Sequence, residues 1–261
     1  IDLAAEKAKY NITGPTIGDF YQVIKANKEG TDWYKELTQT GTISRHTLGF
    51  SGGGQASRFY VGLSSQKQQG ILPSQQATRY AFRMNTEFDI LKNLRLGENL
   101  QVTYLQILGR NGGNNGLESS QLENDILGAF RSPTIIPVYD EFGGYAGTTA
   151  IGFGQGSNPV ANQEFGKLNK NFNAIGTGNL YLEFEPIQNL ILKSSIGGNY
   201  NNFYGWGYGR PVYETLENKS VVWSYNENGG FRLGWTFTNT ASYKKKFGNH
   251  NLELLVGQEA L

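Results

Sequence analysis

The sequence predicts an all-β fold, an antiparallel transmembrane β-barrel with one short helix in a long extracellular loop. Three observations carry that expectation. Apolar residues recur at every second position through segments far longer than ordinary strands. Tight turns alternate with long connections, the asymmetry of outer-membrane barrels. The 261-residue chain holds 35 Gly, 15 Tyr, 15 Phe and 4 Trp, yet no apolar run approaches the roughly 20 residues that a membrane-crossing helix needs.

The alternation is clearest from Arg79 to Leu91, where Tyr80, Phe82, Met84, Phe88 and Ile90 interleave with Arg79, Arg83, Asn85, Glu87 and Asp89. A helix would scatter these side chains around its circumference, whereas a strand puts the apolar set on one face and the charged set on the other. After Lys92-Asn93 the pattern resumes in Leu94, Leu96, Leu100, Val102 and Tyr104, interrupted by Glu98. It returns in Asn171 to Glu185, turns through Pro186-Ile187-Gln188-Asn189, and continues in Leu190, Leu192, Ile196 and Tyr200. Leu233, Trp235, Phe237, Ala241, Tyr243 and Phe247 make the next strand, with Leu252, Leu254 and Val256 beyond a Gly248-Asn249 turn. His46 to Ser51 and Arg58 to Lys67 pair across Gly52-Gly53-Gly54-Gln55.

These segments amount to roughly eight long strands, with long connections at Gln66 to Thr78, Gly109 to Lys170 and Gly205 to Gly230. Four divisions follow: 1–42 as an early barrel segment and first loop, 43–108 as barrel strands, 109–170 as a long extracellular loop, and 171–261 as strands with a further extracellular loop. Within 109–170, Ser120 and Glu123 form a capping box, and Leu122, Ile126, Leu127 and Phe130 follow at helical spacing until Ser132-Pro133. Asn158-Pro159 reads as a turn. Helix-friendly Leu3 to Tyr10 precedes breakers at Gly14-Pro15 and Gly18. The first residues, Ile1 to Lys7, lack the features of a signal peptide, so the chain is expected to have been processed or cut from something longer.

Composition narrows the chemistry. With 23 Lys+Arg against 22 Asp+Glu, there is no global field for nucleic acid. No Cys is present, which removes disulfides and thiolate metal sites. Two histidines, His46 and His250, each beside a turn or strand end, give poor support to a metal site or a Ser-His-Asp triad. Glu123 with Asp125, or Asp140 with Glu141, would be the acid pairs of a glycoside hydrolase, but adjacent acids in loops are ordinarily solvated. The glycine runs lack the Lys-Ser/Thr of a phosphate loop, and Lys244-Lys245-Lys246 sits at a strand end suited to headgroups or the lumen. No cofactor, catalytic residue or metal ligand is expected.

Several segments, in this order, resemble SusC/RagA-family TonB-dependent transporters of Bacteroidetes. They are Gly30-Thr31-Asp32-Trp33-Tyr34, His46 to Gly53, Arg58 to Leu63, Gln69-Gly70-Ile71, Arg79 to Asn85, Ser132-Pro133, Pro137 to Asp140 with Gly143 and Tyr145, and Asn158-Pro159. The match covers most of residues 30–160; beyond 170 it is one of style. The resemblance implies part of a barrel of about 22 strands plugged by a domain this chain lacks, contacted by TonB through that plug, set in outer-membrane lipid and lidded by a SusD-like surface lipoprotein. The implied activity is import of an oligosaccharide or peptide across the outer membrane, with no bond made or broken.

Two sets of side chains are candidate contacts. Tyr204, Trp206, Tyr208, Tyr213 and Trp223 surround the Gly205 to Gly230 excursion and offer stacking surfaces for substrate, or serve as girdle and loop packing. Arg79, Arg83, Glu87 and Asp89 are expected to face the lumen, lining a path or forming a charge ladder. Two other architectures satisfy the same alternation. A soluble extracellular β-sandwich that binds or cleaves glycans requires two facing sheets. A self-contained eight-stranded barrel requires the first strand to pair with the last.

Overall fold

In a computed structural model of the chain, residues 29–109, 125–140, 142–148, 156–215 and 220–261 are described. Eight strands form one antiparallel sheet in sequence order: β1 (Thr42–Gly53), β2 (Ser57–Gln69), β3 (Gln76–Leu91), β4 (Leu94–Leu108), β5 (Lys170–Ile187), β6 (Leu190–Gly209), β7 (Ser224–Phe247) and β8 (His250–Ala260). Among the described residues three short helices accompany them: α1 (Trp33–Leu37), α2 (Asp125–Arg131) and α3 (Pro159–Gly166).

The connections alternate as expected. At one end β1–β2, β3–β4, β5–β6 and β7–β8 are joined by hairpins, two of them held by positive φ at Asn189 (73°) and Gly248 (56°). The other end carries residues 70–75, 109–169 and 210–223.

Sequence and structure differ in three places. The β2–β3 connection is short, because pairing of Gln69 with Gln76 carries both strands to the link. The β6–β7 loop is also shorter than expected, because β6 runs on to Gly209 and β7 begins at Ser224. Finally, the described part of the β4–β5 insert holds two helices, and α3 begins at Asn158-Pro159, where the local sequence reads as a turn. The Asn158 carboxamide caps α3 by accepting from Val160 and Ala161, and proline suits the first helical position. For α2, Ser120, Leu122 and Glu123 lie outside the described residues, as do Leu3 to Tyr10.

Among the described residues no second sheet covers this one, so they do not form the two facing sheets of a sandwich. Nor do β1 and β8 pair, as a self-contained eight-stranded barrel would require. The strands are inclined to the line of hairpins. One row of facing residues contains Arg58, one residue into β2, and ends at Glu259, nine residues into β8. That drift of about 1.3 residues per strand, at ~3.3 Å rise and ~4.8 Å spacing, corresponds to a tilt of roughly 40°.

The buried core lies off the sheet. Trp33, Leu37, Leu72, Ala129, Ile136 and Ala146 pack together, with Ile126, Ile135, Val138 and Val160 against them. Thr31 donates through Oγ1 to the Ile136 carbonyl (2.7 Å), and Trp33 Nε1 to that of Pro133 (3.0 Å). The segment before β1, the β2–β3 link and the β4–β5 insert therefore share one small core at the long-loop end, here termed the cap.

Candidate functional site: two faces and a cap

Register assigns every strand residue to one of two faces. One is apolar and uncovered. Leu48, Phe50, Leu63, Phe82, Val102, Leu180, Leu182, Ile196, Leu233, Trp235, Leu254 and Val256 share it across all eight strands. Exposure along it reaches 71% at Leu233 and 73% at Val256. Such a surface in water would be an aggregation site, whereas in lipid it is the ordinary outer wall of a barrel.

The opposite face is polar and has two zones. Near the hairpins the charges are paired. Arg58 bonds Glu87, Arg95 bonds Asp89 (2.8 Å) and reaches Glu183 (3.8 Å), and Lys193 bonds Glu183 (2.8 Å). Tyr181 donates to Glu87 (2.6 Å) from two strands away, and Lys193 lies 3.9 Å above its ring centroid. The ring reaches Glu87 by crossing β4 at Gly97, where a Cβ would be driven into it.

Farther from the hairpins the face becomes neutral amide. Asn85, Asn99 and Asn179 stand in one row, with Asn99 donating to Asn179 (3.0 Å). Gln101, Thr177 and Asn199 fill the next row beside Arg83. Together they line a hollow of about 910 Å³.

The four residues expected to share the lumen do lie on one face of β3, but they behave differently. Glu87 and Asp89 belong to the paired zone. Arg79 and Arg83 are exposed and enter no ion pair among the described residues.

The five aromatic candidates are not brought together. Tyr204, Trp206 and Tyr208 alternate with Gly205, Gly207 and Gly209 on β6, so the rings stand on the apolar face and the glycines on the polar one. There Trp206 meets Phe172 (5.4 Å between centroids), Lys170 lies 5.7 Å from the Trp206 ring, and Tyr204 and Tyr225 both donate to Glu227. Tyr213 and Trp223 belong to the cap. Tyr213 OH accepts from Tyr145 N (2.9 Å), and Trp223 packs edge-on against Phe165 (5.3 Å).

A buried network that sequence reading missed joins the β6–β7 loop to the cap. Arg210, 5% exposed, forks onto Glu214, 1% exposed, and also donates to Asn162. Glu214 accepts from Asn158 N (3.2 Å) and Tyr213 N (3.1 Å). Asn162 and Gln163 both donate to Asp125, and Ser74 Oγ donates to Gln163 (2.6 Å). Burial pushes the Glu214 carboxyl up, but Arg210 and the surrounding N–H donors outweigh it and hold the group below the usual carboxylate range. Arg210 and Glu214, four residues apart beyond Gly209, were the signal in the sequence.

The remaining candidates have local duties. Asp140 accepts from Phe142 N and Gly144 N and so closes its own turn, while Glu123 and Glu141 lie outside the described residues. His46 on β1 and His250 on β8 stand at opposite edges of the sheet. Lys244 pairs with Glu253 (2.6 Å), and Lys245 lies 5.0 Å from the Phe247 ring.

No family model matches the chain. It is 23% identical to TonB-dependent receptor P26 of Formosa agariphila and 26% identical to TonB-dependent receptor P3 of the same organism, in each case over 87% of the chain and 22% of the relative. Among solved structures it matches the RagAB peptide importer in the open-open state with a TM-score of 0.70 at 22% identity, over 99% of this chain and 31% of that one. The closed-closed state matches with a TM-score of 0.69 at 23% identity, over 89% and 25%. The chain resembles a stretch of a SusC/RagA-type TonB-dependent transporter. It spans about a fifth of the length of the curated relatives it matches. In this SusC/RagA-like segment four of the stretches that carried the sequence resemblance, Gly30 to Tyr34, Ser132-Pro133, Pro137 to Asp140 and Asn158-Pro159, meet in the cap, while His46 to Gly53, Arg58 to Leu63 and Arg79 to Asn85 lie on β1, β2 and β3. Its curated relatives are named as receptors and the matched structures as importers or transporters, none as an enzyme.

Proposed function

We propose that the chain is part of the wall and outer mouth of a Gram-negative outer-membrane, TonB-dependent importer of a hydrophilic nutrient, an oligosaccharide or a peptide. The observation that carries this reading is the pair of faces: an uncovered apolar face across all eight strands, backed by a polar face with paired charges and amides. The apolar face meets lipid, the polar face lines the lumen, the hairpins lie in the periplasm and the cap lies outside the cell. The strand tilt of roughly 40° falls in the range of barrels, and the RagAB likeness supports the same architecture.

Two partners complete the reading. A SusD-like surface lipoprotein docks on the cap, where Tyr34 and Phe130 pair at 5.7 Å with Phe130 72% exposed. TonB acts through a plug supplied by a part of the protein outside this chain. Tyr204, Trp206 and Tyr208 anchor the wall at the outer headgroup level, and Tyr213 and Trp223 remain candidates for ligand stacking at the mouth.

The test is the size and location of the native protein. An antibody against residues 109–170 should detect, in purified outer membranes, a species about four times this length, and deleting its gene should abolish TonB-dependent uptake of one nutrient. A soluble species of about this mass would overturn the proposal.

A further inference from the structure

On the polar face the strand cations that hold a carboxylate all lie near the hairpins. Near the hairpins Arg58, Arg95, Lys193 and Lys244 each hold a carboxylate. Farther up stand Arg45, Arg79, Arg83 and Arg232, all exposed and without an ion pair among the described residues. Their neighbours on the same rows contain no acid. Arg45 and Arg79 flank Gln66 in one row, so their backbones are about 10 Å apart at the usual strand spacing. Arg83 has Gly49 and Gly62 on one side and Gln101, Thr177 and Asn199 on the other. Arg232 stands in the row of Asn201, Ile175 and Thr103.

We propose that Arg79 and Arg83, with Arg45 beside them, form a binding surface for carboxylate-bearing cargo. It deepens the import reading given above, on which it rests. A planar guanidinium takes a carboxylate through two parallel N–H donors, and the surrounding amides supply neutral donors and acceptors to the rest of the solute. Nearer the hairpins Arg58, Arg95, Lys193 and Lys244 are already occupied, and Lys246, the one exposed cation of that face there without an ion pair among the described residues, stands alone beside the β7–β8 turn. An acidic peptide and a uronic-acid oligosaccharide present the same group, and the charge on this wall selects for either over a neutral solute.

The experiment uses the full-length transporter in detergent, titrated calorimetrically with a glutamate-rich peptide, with an oligogalacturonate and with a neutral gluco-oligosaccharide. At least one acidic probe is expected to bind, more tightly at low salt, and the neutral probe to bind weakly or not at all. Arg79→Gln with Arg83→Gln should weaken the acidic probe about tenfold or more, with an unchanged heat-modifiability shift on gels showing that the barrel is intact. Which acidic probe responds identifies the source of the carboxylate. Wild-type affinity in the double variant, or equal affinity for the neutral probe, overturns the proposal. So does a double variant whose plug becomes protease-sensitive, since the arginines then serve the plug. Import of a neutral nutrient, with neither acidic probe bound, would overturn this proposal while leaving the import reading intact.

Discussion

Gly97 and Tyr181 are a pair that only register reveals. The ring on β5 crosses β4 to reach Glu87 on β3, and the missing side chain at Gly97 makes that crossing possible. Gly97→Ala should displace the ring and destabilise the folded sheet by about 1–3 kcal/mol. Tyr181→Phe removes one hydrogen bond, worth about 1 kcal/mol. The two changes should be less than additive in urea titrations, because both break the same contact; full additivity would mean that the ring does not depend on the glycine. Neither partner was legible from local pattern. The alternation put Glu87 on the polar face, but which residue would face it two strands away depends on register, and register emerges only when eight strands align.

Among the elements, the strands were legible and the long-loop end was not. Period-two patterning survives in sequence because each strand has one face for each environment, and this gave β3, β4 and the hairpins directly. The end of β6 shows how the pattern can hide. Tyr204-Gly205-Trp206-Gly207-Tyr208-Gly209 alternates as strictly as Arg79 to Leu91, but its glycines read as loop. The cap is built from contacts more than a hundred residues apart, such as Thr31 with Ile136, which no local spacing encodes. Its keystone is open to test. Glu214→Gln should leave Arg210 buried beside a neutral partner and cost about 3–5 kcal/mol of cap stability, read as faster proteolysis within 125–215. Because the Glu214 carboxyl is held below its ordinary range, its contribution is fully present above that range. It is lost as pH falls through the depressed value. Wild-type proteolysis should therefore be flat at neutral pH and accelerate only in acid below the ordinary carboxylate range, a change that Glu214→Gln should blunt.

At the scale of the whole molecule, the two-faced sheet sets where charge is tolerated. Leu182→Arg places a cation on the apolar face and should cost about 2–4 kcal/mol if that face meets lipid. Thr177→Arg, on the polar face beside the amide hollow, should cost little. Folding yield into lipid vesicles measures both, and equal tolerance at the two positions would sink the assignment of faces. The division into faces is legible in the amino-acid order alone, since Leu182 and the residues around it alternate. Which cations of the polar face hold a carboxylate is not, because it depends on which carboxylates the register brings alongside.

The alternation at the end of β6 also shapes the polar face beside the cap. With Tyr204, Trp206 and Tyr208 on the apolar face, Gly205, Gly207 and Gly209 leave room on the polar one, and Asn171, Asn226 with Asn169, and Ser224 lie over them in turn. The final strides of β6 are thus roofed by amides and a hydroxyl from the neighbouring segments, and Tyr208 N donates to the Asn169 carboxamide at 2.7 Å. A side chain added at Gly205 or Gly209 would be driven into Asn171 or Ser224 and would unroof this stretch, without touching Tyr204, Trp206 or Tyr208 on the opposite face.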